Sequence, residues 1–191
     1  MTGIVILAAG ASSRLGQPKQ LLDWHGQPLI RHLAGVALNA DLGPVTVVLG
    51  AVDQLCREAL SGLDITVIHH ADWASGMGGS IAAGVTTMMD RELDGVIVML
   101  CDQPFVDAAL LQNLKMKCES SGAEIVASRY QNQLGPPAIF SAKRFDQLLS
   151  LQGKGGAKSI INSESSATWI DAPQAATDID TPDEWSRISS I

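Results

Sequence analysis

The chain is short of several things that would narrow its setting. It has three cysteines, Cys56, Cys101 and Cys118. They are odd in number and widely spaced, with no CxxC pair and no Cys/His metal spacing, so a reduced, cytoplasmic location is expected. Aromatics make up 4% of residues, leaving Ala, Val, Ile and Leu to carry burial. Basic residues are outnumbered, 13 Lys and Arg against 20 Asp and Glu, and the net charge of −7 argues against a broad grip on nucleic acid. A small anion held by a few local cations and a metal stays open. No apolar run approaches the ~18 residues that span a bilayer. The first run, Ile4 to Ala9, lacks the preceding positive charge of a secretion signal. Neither a membrane nor a nucleic acid is expected as a partner.

What is present is a folded core: 46% of the 191 residues are apolar. Strand-length apolar runs alternate with helical patterns. Strands are expected at Ile4–Leu7, Val45–Leu49, Ile65–Ile68, Val96–Leu100, Glu124–Ser128 and Thr168–Ile170. Helices are expected at Pro28–Asn39, Asp53–Ser61, Ser80–Met89, Ala108–Ser120, Ala142–Leu149 and Ala157–Ser163, with a last one from Pro182. "VTVVL" and "VIVML" are apolar almost throughout, as in strands covered on both faces. The segment "RYQNQLGPPAIFS" breaks the rhythm and reads as a hairpin or lid inserted late in the sheet. With no repeat or long linker, residues 1–191 read as a single α/β domain. In an open sheet of this kind ligands bind beyond the carboxyl ends of the strands.

Four stretches carry chemical potential. In "LAAGASSRLGQPKQLL", Ala8, Ala9 and Gly10 have almost no side chain and leave the backbone N–H groups open to a polyphosphate, Leu7 before them counts with the nucleotide-binding residues, and Arg14 and Lys19 could add charge-assisted contacts. The plain alternative is a glycine turn with two surface cations. In "VMLCDQPFV", Asp102 follows a buried strand, where a carboxylate needs a partner or a metal. A lone carboxylate suits Mg²⁺ that shares the phosphates of a substrate. The alternative is that Asp102 or Asp107 caps the next helix. In "DIDTPDEW", Asp178 and Asp180 share a side if extended, and Thr181-Pro182 reads as a helix start. In "DWASGMGGSIAAG", Gly76, Gly78 and Gly79 precede Ser80, read as a helix cap or a ligand contact. Ser80 is too far from its strand for a nucleophile elbow. The "GKGGAKS" run lacks the glycines of a phosphate loop. His69 and His70 are neighbours facing opposite ways, unsuited to one metal.

These stretches, with "LGPPAIF" and "GKGGAKSII", occur in the order found in MobA-like nucleotidyltransferases. The chain resembles most the molybdenum cofactor cytidylyltransferase branch, over nearly its whole length. The resemblance implies a Rossmann-like, three-layer fold with a mostly parallel, mixed sheet, and transfer of a nucleotidyl group from an NTP to a phosphorylated acceptor. It implies that Ala8 to Gly10 hold base and phosphates, that Arg14 and Lys19 neutralise the triphosphate, and that Asp102 holds Mg²⁺ (or Mn²⁺) with Asp180 as a second metal or acceptor-side carboxylate. Gly76, Gly78 and Ser80 would line the nucleotide side. Gly135, Pro136 and Pro137 would face a molybdopterin-type acceptor. Ala9, where the guanylyl branch typically has Gly, suggests CTP. Lys154 and Lys158 stand where the family usually has an acidic residue and an Arg; they could receive an acceptor phosphate. A downstream molybdoenzyme is a further expected partner. Two other readings stay open: a cytidylyltransferase for a sugar or polyol phosphate, and a non-catalytic nucleotide-binding partner of a molybdoenzyme.

Overall fold

Strand register explains where the cleft lies. In the computed structural model, which describes residues 1–164 and 167–189 and all their side chains but that of Lys154, nine strands form. They are β1 (Thr2–Ala8), β2 (Asp23–Trp24), β3 (Gln27–Pro28), β4 (Val45–Leu49), β5 (Thr66–His69), β6 (Gly95–Leu100), β7 (Ile125–Tyr130), β8 (Gln133–Ser141) and β9 (Thr168–Asp171). The helices are α1 (Leu29–Asn39), α2 (Asp53–Ala59), α3 (Met77–Thr86), α4 (Ala108–Ser121), α5 (Phe145–Leu149), α6 (Lys158–Ser163) and α7 (Pro182–Ile188). No helix among the described residues is long and apolar enough to cross a membrane.

Seven strands make one sheet in the order β5-β4-β1-β6-β8-β7-β9, while β2 and β3 form a separate small ribbon. β1 pairs in parallel with both β4 and β6, with Leu7 opposite Leu100. Side chains alternate across the sheet. Ile4 and Ile6 join one buried cluster with Leu29, Leu33, Leu111 and Leu114 of the helices on that face. Val5 and Val48 join a second with Ile81, Phe140, Leu148 and Ile161 on the other. The expected three-layer, mixed and mostly parallel architecture is therefore what forms.

The late insertion is a hairpin and not a lid. β8 runs antiparallel between β6 and β7, inside the sheet. Its turn is Gln131-Asn132, both with positive φ of 50° and 59°, as a two-residue hairpin requires. The ladder slips between Ala127 and Ser128, because Pro136 and Pro137 have no N–H to donate. The Ser128 hydroxyl instead donates to the Pro137 carbonyl at 2.7 Å. The Pro136–Pro137 peptide is cis.

Candidate functional site

β1 and β6 are neighbouring parallel strands, so their carboxyl ends open onto the same edge. Cys101 N–H donates to the Leu7 carbonyl at 3.1 Å, which brings the chain of Asp102 beside the loop that follows Ala8. That loop is fastened by Gln20, a side chain only 1% exposed. Its Nε2 donates to the carbonyls of Ala8 and Gly10, each at 2.8 Å. Lys19 N–H donates to Ser12 Oγ at 3.1 Å, closing the loop on itself. The third contributor arrives from the C-terminus. Ile179 is fully buried, and its N–H donates to the Asp102 carbonyl at 3.0 Å, so Asp178 and Asp180 on either side of it stay at the edge.

The charges then meet. Lys19 Nζ donates to Asp102 Oδ2 at 2.9 Å and to Asp180 Oδ1 at 2.6 Å, and an Arg14 guanidinium N–H donates to Asp180 Oδ2 at 2.6 Å. Lys19 and Asp102 are largely covered, at 14% and 20% side-chain exposure, whereas Arg14 is 72% exposed. Burial alone would lower the Lys19 pKa. The carboxylates of Asp102 and Asp180 outweigh it, and the pKa is raised above 10.5. Burial would raise Asp180, but Lys19 and Arg14 hold it below 3.8. Burial, then Asp102, pushes Asp178 upward.

Arg14, Lys19, Asp102 and Asp180 line a cleft of about 350 Å³ together with Leu7, Ala8, Ala9, Gly10, Gln20, Trp73, Met77, Ser80, Leu100 and Cys101. Burial pushes the Cys101 thiol well above its usual value, so it stays protonated and is no nucleophile. Asp102 Oδ1 is buried with no partner among the described residues. An orphaned, hard oxygen beside a second carboxylate is the donor set a divalent cation takes when a substrate's phosphates complete its shell. No cluster of three or more His, Cys, Asp or Glu able to hold a metal occurs among the described residues. The residues present thus fit an ion shared with a ligand.

Asp107, and not Asp102, caps α4: its Oδ1 accepts from Leu110 N–H at 2.8 Å. Both readings of "DIDTPDEW" hold together. Thr181 and Glu184 form a reciprocal capping box with Pro182 at the first position, while Asp180 faces the cleft. Ser80 is not the cap. α3 starts at Met77 behind Gly76, whose φ of 134° suits glycine, and Ser80 lies a turn inside, buried on the cleft wall. Gly76 and Gly78 are not among the lining residues. A Cβ on Gly78 would come within 2.8 Å of the Gln152 backbone, so close packing explains that glycine.

Toward β8 the edge opens into a second cavity of about 470 Å³. Gly135, Pro136 and Lys158 line it with Asp102, Gln103, Tyr130 and Asp178. Pro137 points elsewhere, its carbonyl engaged by Ser128. The Lys154 side chain lies outside the described residues. Lys158 Nζ donates to Gln133 Oε1 at 3.0 Å. His69 and His70 share no ion: His69 Nδ1 lies 3.3 Å from Asp53, while buried His70 Nε2 has no partner among the described residues. Gln20, Gln103, Tyr130 and Trp73 escaped the sequence reading. A lone Gln reads as surface, and only the run of Gln20 into "QLL" hinted at burial.

Comparison with known proteins identifies the family. The model of the MobA-like NTP transferase domain matches residues 4–168. The chain is 40% identical over 102 residues to nicotine blue oxidoreductase of Paenarthrobacter nicotinovorans, covering 52% of this chain and 48% of that one, so it spans about half that relative's length. It is 28% identical to the purine catabolism protein PucB of Bacillus subtilis, over 96% of this chain and 94% of that one. It is also 28% identical to a molybdenum cofactor guanylyltransferase of Pseudomonas entomophila, over 66% and 63%. Among solved structures, Rv0371c from Mycobacterium tuberculosis H37Rv superposes with TM-score 0.84 at 27% identity, covering 100% of this chain and 98% of that one. A second structure of that protein, in complex with manganese, superposes with TM-score 0.82 at 26% identity, over 99% and 98%. A match running from the first strand to the last places the chain in the MobA-like NTP transferase family, as a nucleotidyltransferase.

Proposed function

We propose that the cleft takes a nucleoside triphosphate, CTP by preference, and passes its monophosphate to the phosphate of a molybdopterin-type acceptor. The observation that carries this reading is Lys19 Nζ standing between the Asp102 and Asp180 carboxylates, at the mouth of the Ala8–Gly10 loop. An acceptor phosphate oxygen attacks the α-phosphorus. A new O–P bond forms as the bond to the bridging oxygen breaks, and pyrophosphate leaves with the electron pair. A phosphate monoester is already ionised near neutral pH, so no general base is needed. Lys19 and Arg14 turn from the carboxylates to the phosphate oxygens, and the loop N–H groups hold the rest of the chain of phosphates. A divalent cation, Mg²⁺ or Mn²⁺, on Asp102 and Asp180 would neutralise phosphate charge when bound. Ser80 and Leu7 bound the nucleotide, while Gly135, Pro136 and Lys158, with Lys154 by resemblance, face the acceptor. The proposed setting is the cytoplasm, with a molybdoenzyme downstream.

The choice of base has two supports that differ. The resemblance supports CTP, since Ala9 stands where the guanylyl branch typically has Gly. The relatives named as guanylyltransferases support GTP. A screen of all four NTPs against molybdopterin-type and sugar or polyol phosphate acceptors, read by pyrophosphate release, decides between them. Release with CTP and the molybdopterin-type acceptor is expected. Release with GTP alone reassigns the base, and release with a sugar or polyol phosphate reassigns the acceptor. Tight NTP binding with no release under any pairing overturns the transferase in favour of a binding partner.

A further inference from the structure

Lys19, Asp102 and Asp180 are each followed closely in the chain by an aromatic residue: Trp24, Phe105 and Trp185. The three rings meet. Trp24, 4% exposed, takes Phe105 edge-on at 5.3 Å between ring centroids and lies 6.4 Å from Trp185. His25 and His32 close round the same indole at 4.7 and 6.1 Å. The links from ring to charge are short and hydrogen-bonded. Leu22 N–H donates to the Lys19 carbonyl at 3.2 Å, and β2 follows at once. Gln103 and Pro104, between Asp102 and Phe105, are both tied down. Gln103 Nε2 donates to the carbonyls of Pro136 at 3.1 Å and Ala175 at 2.8 Å. The Pro104 carbonyl lies 3.2 Å from His32 Nε2, which must carry the hydrogen because a carbonyl only accepts. On the third segment, Trp185 N–H donates to the Thr181 carbonyl at 3.1 Å, and Asp180 N–H donates to Glu184 Oε2 at 3.0 Å.

Three separate segments thus deliver one charge each to the cleft and one ring each to this cluster, so a shift of a ring moves the charge tied to it. The tolerance is small. Lys19 Nζ reaches its carboxylates at 2.9 and 2.6 Å, and a displacement of about 1 Å can cost a reaction ~100-fold. We infer that Trp24, Phe105 and Trp185 form a clasp that sets the spacing of Lys19, Asp102 and Asp180. None of the three rings is among the residues lining the cleft, so they are positioning residues that act through the charges. The inference rests on the transferase reading only for what those charges do to a substrate; the spacing itself does not depend on it.

A double-mutant cycle by urea unfolding of the full chain tests the clasp without a substrate. Lys19→Met is expected to raise the unfolding constant of the wild type, because it strands two carboxylates. In Trp24→Leu and Trp185→Leu backgrounds that increase should be smaller by at least about threefold, a coupling that independent sites do not show. Trp24→Leu can fail to fold, so Trp185→Leu, whose ring is only partly buried, keeps the test decisive. Leu148→Ala, in the core on the other face of the sheet, should leave the increase unchanged. Turnover gives the second readout. Folded Trp185→Leu should lose about tenfold in kcat with KM for the nucleotide within about threefold, while Trp185→Phe, which keeps a ring, should retain kcat within about threefold. Additive changes in the cycle, the same coupling with Leu148→Ala, or near-normal kcat in folded Trp185→Leu overturns the inference. Pyrophosphate release with an additive cycle would end this inference and leave the transferase reading standing; coupling in a chain that releases none would do the reverse.

Discussion

The two ends of the carboxyl edge differ in what is already satisfied. Between β1 and β6, Lys19, Arg14, Asp102 and Asp180 hold one another through contacts of 2.6 to 2.9 Å. Toward β8, among the described residues, Gln103 keeps an oxygen with no partner and Lys158 is tied to a neutral amide. A ligand entering the first end exchanges one set of ion pairs for another, so its net gain is a difference. A ligand entering the second gains contacts that nothing else was making. Charge at the first end is better suited to stabilising a developing transition state; the second is better suited to telling ligands apart.

The largest break in that comparison comes from Asp102→Ala or Lys19→Ala. Each should lower kcat by about 100- to 1,000-fold, as for other lost electrostatic donors, with a cooperative melt retained. Near-normal turnover in both would move the reaction away from this end. Next, Gln20→Leu leaves the Ala8 and Gly10 carbonyls without their donor. A loss of about 1–3 kcal/mol in unfolding free energy and a raised KM for the nucleotide are expected. A change in KM with no loss of stability would mean that Gln20 touches the ligand. Arg14→Ala should cost about tenfold or less in kcat/KM, and more at low salt, because the side chain is mostly in water.

The smallest effect sharpens the electrostatics. Asp180 is depressed in the fold, so its contribution is present above 3.8 and is lost as pH falls through the lower folded value. Lys19 is raised, so its contribution is complete below 10.5 and is lost as pH climbs through the higher folded value. The stability difference between the wild type and Lys19→Met should therefore be flat between these limits and shrink beyond both, measured by urea unfolding across pH. A steady slope through neutral pH would contradict the pairing.

The charged end was legible in the sequence because its parts follow strands. Lys19 and Asp102 stand beyond "GIVILA" and "VIVML", and any parallel pairing of those runs puts their ends together. The strands themselves were legible from unbroken apolar runs, and α7 from its Thr-Pro start. The β8 end was not. Where β8 would insert is a matter of pairing across the sheet, which no local pattern records. Buried polar residues were the other omission: Gln20 and Gln103 owe their positions to carbonyls distant in sequence. Ser80 was misplaced by one turn because Gly76 can adopt a backbone angle that ends one element and begins another.

The hairpin turn at Gln131-Asn132 has a consequence for descent. Gln131 lines the cavity proposed for the acceptor, and the register that joins β8 to β6 covers only Ala138 to Ser141, away from this turn. Residues can be inserted or exchanged there without altering the donor half. On the proposed function, a lineage built on this plan could change the recipient of the nucleotide by editing a single tip, keeping its energy-rich reactant throughout.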